Sequence, residues 1–77
     1  MNTFDRIGME GKMEEKKKLS VVIDHWIEHN ESHMAEYRKW AQKAEELGFD
    51  VVKAEIEDAV EKLNQCNQSL QKALKGL

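Results

Sequence analysis

A single glycine, Gly48, separates two long stretches in which apolar residues recur at spacings of four and three. This heptad spacing places side chains on one face of an α-helix. In helix 1 the pattern reads Leu19, Ile23, Trp26, Asn30, His33, Tyr37, Trp40, Ala44 and Leu47. In helix 2 it reads Val52, Ile56, Ala59, Leu63, Cys66, Leu70, Ala73 and Leu77. Proline is absent, and glycine favours the left-handed conformation that ends helices. The sequence therefore predicts an all-α fold, an antiparallel two-helix hairpin that turns at Gly48.

The start of helix 1 is less sharply defined than its end. Acidic residues suit the positive end of the helix dipole, so Glu14 favours a start near Met13. Ser20 is a competing N-cap. We interpret residues 1–12 as a flexible tail and residues 13–77 as a single helical-hairpin domain.

The second helix has clearer signals at both ends. Helix 1 is expected to end at Leu47, and Asp50 is the expected N-cap of the next helix. Helix 2 is then predicted from Val51 to about Lys75, with Gly76 ending it.

The short turn sets an expected register for the two helices. It places His33 opposite Cys66 and Asn30 opposite Leu70. It also places large side chains opposite small ones, as close packing requires: Trp40 opposite Ala59 and Trp26 opposite Ala73. In this register Asn30 is interpreted as a polar residue that fixes the alignment, or alternatively as an extra metal ligand.

Both apolar faces are wider than a two-stranded seam. Helix 1 adds Ile27, Met34 and Ala41, and helix 2 adds Val60, Asn67 and Leu74. A 77-residue chain with one cysteine has a small core and no internal disulfide. We therefore expect a homodimer in which two hairpins form a four-helix bundle, with both tryptophans at the surface between the hairpins. A helix of another protein is the alternative occupant of the same face.

Composition argues against several classes of protein. The net charge is −3, and the one basic run, 16–18, follows two glutamates, which argues against a nucleic-acid-binding face. No apolar run reaches the roughly 20 residues of a membrane span, and the polar faces mix both charges rather than forming a basic membrane-binding face. No signal peptide is visible and cysteine is scarce, so a cytoplasmic location is expected.

Three histidines supply the one pattern that suggests chemistry. His25, His29 and His33 are spaced by four, so successive rings lie on the same side of a helix. Either neighbouring pair, His29 with His33 or His25 with His29, can reach one metal ion, whereas His25 and His33 are about 12 Å apart along the axis. A set of His29, His33 and Cys66, with Glu36 or a residue of a dimer mate as the fourth ligand, suits zinc or nickel. The alternative is that these residues simply flank or fill the seam.

Other kinds of site fit the sequence less well. Di-iron bundles use a Glu-x-x-His motif, and no glutamate lies three residues before any of the three histidines. The tryptophans are expected to fill the space that a haem would need. Cys66 beside His33 resembles a nucleophile and its base, but a smooth hairpin offers neither a cleft nor oxyanion donors. We therefore do not expect an enzyme.

The segment His25-Trp26-Ile27-Glu28-His29-Asn30, followed by His33 and then by 37–41, resembles a short helical domain of uncharacterised prokaryotic proteins. The similarity covers residues 19–75. It implies a module that occurs alone or attached to other proteins, some of them linked to metal handling, but it implies no defined activity. The hypothesis from sequence is an interaction and dimerisation module, and the alternative is a transition-metal-binding protein.

Overall fold

The protein is a hairpin of two antiparallel helices, which confirms the expected fold class. The computed structural model describes the backbone of residues 2–77 and the side chains of residues 11–77. Helix α1 spans Asn2–Glu46 and helix α2 spans Asp50–Lys75, with no strand in the described residues. The molecule measures 68 × 15 × 14 Å. Its long dimension equals that of a straight helix of 45 residues at 1.5 Å per residue.

Helix α1 begins earlier than the sequence signals indicate. The predicted start near Met13 is wrong, since the helix already includes Asn2. Ser20 is not an N-cap, because its hydroxyl donates a hydrogen bond of 3.1 Å to the carbonyl of Lys16, one turn earlier. Glycine costs about 1 kcal/mol inside a helix but leaves its hydrogen bonds intact, so Gly11 does not end α1. Most of the predicted tail, 1–12, lies outside the residues whose side chains are described, and its separation from residues 13–77 stays a prediction.

The turn is a Schellman motif centred on Gly48. Gly48 has a φ of 79°, the left-handed conformation expected for it. Its N–H bonds to the carbonyl of Glu45, and the next N–H, of Phe49, bonds to the carbonyl of Ala44. The predicted cap at Asp50 is wrong: Phe49 is the N-cap of α2, and it makes no capping hydrogen bond through its side chain. Asp50 instead lies in the first turn of α2, where its charge suits the dipole. Gly76 is the C-cap of α2, as expected.

The seam between the helices keeps one of the two predicted rows of each helix and replaces the other. In α1 the seam residues are Ile23, Ile27, Asn30, Met34, Tyr37, Ala41 and Ala44, preceded by half-buried Ser20. The seam residues of the second half of the hairpin are Ile56, Val60, Leu63, Asn67, Leu70 and Leu74 of α2 and Leu77 beyond its end; Lys53, Ala59 and Asn64 are also half-buried. Both sets keep the heptad spacing of four and three. The sequence placed Trp26 and Trp40 in the seam, but they are 48% and 53% exposed. The short residues Ala41 and Ala44 let the two helices approach closely, which bulky indoles would prevent.

The register also differs from the predicted one. Asn30 was expected opposite Leu70, but its amide donates a hydrogen bond of 2.9 Å to the side-chain oxygen of Asn67. Asn67 is 4% exposed and donates in turn to the carbonyl of Ile27, at 3.2 Å. Both amides therefore have partners in the seam, and this supports the interpretation of Asn30 as the residue that fixes the alignment.

Candidate functional site

The structure brings His29 and His33 into direct contact. Their Nε2 atoms are 2.8 Å apart and their ring centroids 4.4 Å apart, with the rings nearly perpendicular. Both side chains are exposed. At this distance one Nε2–H can donate a hydrogen bond to the other Nε2, and the direction depends on the tautomers of the two rings. Two potential metal-ligating nitrogens therefore lie next to each other.

The distance between the two nitrogens is close to that of a two-histidine chelate. Zinc–nitrogen bonds are about 2.0–2.1 Å, so two nitrogens on one ion are about 2.9 Å apart at a right angle and about 3.4 Å apart at the tetrahedral angle. The observed 2.8 Å is just below this range. The separation of the two nitrogens is therefore compatible with two-ligand binding of an ion, for which both rings would have to turn their nitrogens toward one common point.

The other predicted ligands on α1 are not part of this pair. The ring of His25 is centred 6.0 Å from that of His29. Glu36 accepts a hydrogen bond of 3.0 Å from the indole nitrogen of Trp40. On the other side, the ring of Tyr37 is centred 5.9 Å from that of His33.

Cys66 is exposed and lies at the same level of the hairpin as the histidine pair. Its sulfur is 3.7 Å from the side-chain nitrogen of Asn30, which lies between His29 and His33 in the sequence. Of the residues in 11–77, no group of three or more histidine, cysteine, aspartate or glutamate side chains is close enough to hold a metal ion. One hairpin thus brings two of the predicted ligands together, while the thiol of Cys66 contacts Asn30.

A further row of residues flanks the seam on each helix. We call these the flanking rows: in α1 Leu19, Trp26, His33, Trp40 and Leu47, and in α2 Val52, Ala59, Cys66 and Ala73. All are exposed except Ala59, which is half-buried. The heptad pattern of the sequence predicted that all of these residues lie in the seam.

The two flanking rows lie on the same side of the hairpin. Each flanking residue comes one position before a seam position. Antiparallel helices turn in opposite senses when viewed from one end, so a step of one residue backwards leads to the same side in both. A shallow, largely apolar groove lies along the α2 row, lined by Tyr37 of the α1 seam and by Val51, Val52, Glu55, Ile56 and Ala59 of α2. The opposite side is mainly polar, with Glu28, Gln42, Glu61 and Gln68 exposed.

The fold and the site define a class: small all-α hairpins with one broad apolar side that carries a histidine pair. The chain belongs to a family known as a domain of unknown function, DUF8180, whose model matches residues 19–77. This fits the expected resemblance to an uncharacterised helical domain. Comparison with curated proteins and with solved structures gave no match. No helix among the described residues is long and apolar enough to cross a membrane.

Proposed function

We propose that this protein is a self-association module, in which two hairpins pack through their flanking rows into a four-helix bundle. The observation that carries the proposal is that the exposed tryptophans and leucines of residues 11–77 line one side of the hairpin, whereas the opposite side is mainly polar. In a monomer, this side would leave Leu19, Trp26 and Trp40 in water.

The surface area supports a partner of this size. The chain exposes 6376 Å², about 1,500 Å² more than the roughly 4,900 Å² typical of a compact monomer of 9.0 kDa. Part of the excess belongs to the length of α1 beyond the end of α2. The apolar side is about 40 Å long and 15 Å wide, so two copies bury at least about 1,200 Å² between them, which is enough for a specific interface.

The shapes of the two flanking rows favour a second copy over an unrelated helix. The row on α1 is bulky, with two tryptophans and two leucines, whereas the row on α2 is small, with Ala59, Cys66 and Ala73. A twofold axis parallel to the helices places α1 of each copy against α2 of the other. Trp40 then packs near Ala59 of the other copy and Trp26 near its Ala73, so that large side chains face small ones on both sides of the axis.

Sedimentation equilibrium at micromolar concentration tests this proposal. The wild-type chain is expected to be dimeric, and Trp26→Glu is expected to be a helical monomer, because it places an unpaired charge within the apolar interface. Gln68→Glu adds the same charge on the polar side and is the matched control, expected to stay dimeric. A folded wild-type monomer, or equal dissociation of Trp26→Glu and Gln68→Glu, would overturn the proposal. The apolar side would then be a binding surface for a helix of another protein.

Transition-metal binding is a second candidate function, supported by the 2.8 Å separation of the two Nε2 atoms. Calorimetric titration of zinc and of nickel tests it. Binding is expected in the wild type and is expected to be lost in His29→Ala/His33→Ala. An affinity for zinc or nickel that is unchanged by these two substitutions would argue against a metal site at His29 and His33.

A further inference from the structure

We propose that two copies of this chain complete metal sites between them, with His29 and His33 of one copy and Cys66 of the other binding one zinc-class ion. The inference rests on the proposed self-association. It goes beyond that proposal by assigning ligands to each copy and a chemistry to the centre of the interface. The ion would have three protein ligands and one open position, a number and softness that suit zinc.

The first step is the position of the histidine pair in the interface. His33 is the middle member of the flanking row on α1, seven residues from each tryptophan. His29 lies one helical turn before His33, and the two rings are in contact. The pair is therefore at the centre of the apolar side, where a second copy excludes water and strengthens metal–ligand interactions.

The second step is the level of the thiol. Two residues are at the same level when they lie at the same height along the hairpin axis. Asn30 contacts Asn67, and numbers rise along one antiparallel helix as they fall along the other, so two residues at one level have numbers that add to about 97. Rotation about a twofold axis parallel to the helices does not change height, so the same sum applies to residues of two different copies. For His33 and Cys66 the sum is 99, which corresponds to an offset of about 3 Å along the axis. Histidine and cysteine side chains span that offset.

The third step is the direction of the thiol. Cys66 is exposed and belongs to the flanking row of α2, which lies on the same side of the hairpin as the α1 row that contains His33; its sulfur accepts a 3.7 Å contact from Asn30 of its own hairpin. In the twofold arrangement this row faces the row of α1 in the other copy. The set His29, His33 and Cys66, which one hairpin does not assemble, is thus brought together between two hairpins.

Mixing of variants tests the assignment of ligands to different copies. Cobalt(II) replaces zinc and gives a thiolate charge-transfer band that reports a bound cysteine. The wild type is expected to show the band, and neither Cys66→Ser nor His29→Ala/His33→Ala is expected to show it. An equimolar mixture of these two variants should recover about a quarter of the wild-type band, because half of the dimers are mixed and each mixed dimer has one intact site of two. His25→Ala is the matched control and should keep the full band.

Each outcome decides a different point. Recovery in the mixture supports sites shared between copies. A wild-type band without recovery in the mixture would show that the ligands come from one chain and would overturn the inference. A metal-free dimer that shows no cobalt band would overturn the inference and leave the proposed self-association intact. A wild type that stays monomeric in sedimentation with and without zinc would overturn both.

Discussion

Replacing Asn67 with alanine tests whether the asparagine pair fixes the alignment of the two helices. The substitution removes the 2.9 Å hydrogen bond from Asn30 and the 3.2 Å bond to the carbonyl of Ile27. A hydrogen bond contributes about 0.5–1.5 kcal/mol net, so the free energy of unfolding should fall by about 1–3 kcal/mol. The loss should lie at the upper end, because Asn67 is 4% exposed and water does not replace the lost partners.

Urea unfolding followed by circular dichroism measures this loss. All variants are compared at one protein concentration, because association adds to apparent stability. Gln68→Ala, at the exposed neighbouring position, should change stability by less than about 0.5 kcal/mol. Asn30→Ala and the double variant complete a cycle in which the two losses should not add. If Asn67→Ala unfolded within about 0.5 kcal/mol of the wild type, the pair would not hold the register.

Three further predictions follow from the turn, an ion pair and the exposed indoles. Gly48→Ala should destabilise the hairpin by about 1 kcal/mol in urea, because φ is 79° there, whereas Gly11→Ala in the helix should be neutral or stabilising. The hydrogen bond and the charge of Glu45 raise the pKa of Lys53 above its ordinary value of 10.5. The ion pair therefore stabilises the fold fully below pH 10.5, and this stabilisation is lost as the pH rises through the pKa that Lys53 has in the folded protein. Thermal melts across this alkaline range should show a smaller fall for Lys53→Gln than for the wild type; an equal fall would contradict the assignment. Tryptophan emission should shift to shorter wavelength as protein concentration rises through the dimer range, and an unchanged spectrum would argue against burial of the indoles.

The hairpin and its turn could be predicted from the sequence because they depend on local signals. Gly48 is the one glycine between two heptad stretches, and only a residue that tolerates positive φ ends a helix in this way. The cap of α2 could not be predicted, since the N–H of Lys53, which a cap at Asp50 would bind, bonds instead to the carbonyl of Phe49 at 3.0 Å. Backbone bonding decided that boundary.

The three apolar rows of each helix were also visible, but not which two rows meet. Adjacent rows differ by about 50° around the helix, so apolar character alone does not distinguish them. The structure places Met34 and Ala41 in the seam and leaves Trp26 and Trp40 about half exposed. The sequence pairs large with small residues, Trp40 with Ala59 and Trp26 with Ala73, but the prediction placed these pairs inside one hairpin, whereas the proposed dimer places them between two copies.

The candidate site was found in part. The spacing of the histidines left two neighbouring pairs open, and the structure brings His29 and His33, rather than His25 and His29, into direct contact. The spacing did not predict that Asn30, rather than His33, contacts Cys66, because that depends on the register. Asn67 was missed as a partner of Asn30. The signal was present as a second asparagine in the apolar rows of the other helix.

The asparagine pair and the turn together restrict how the length of such a chain can change over evolution. Asn30 lies 18 residues before Gly48, and Asn67 lies 19 residues after it. One residue inserted between Gly48 and either asparagine would rotate the helix beyond the insertion by about 100° and carry that asparagine out of the seam. In these two segments, 30–48 and 48–67, insertions or deletions of seven residues made in both at once keep the pair together and the flanking rows on one side. Members of this family should therefore differ in the lengths of these two segments by matched heptads.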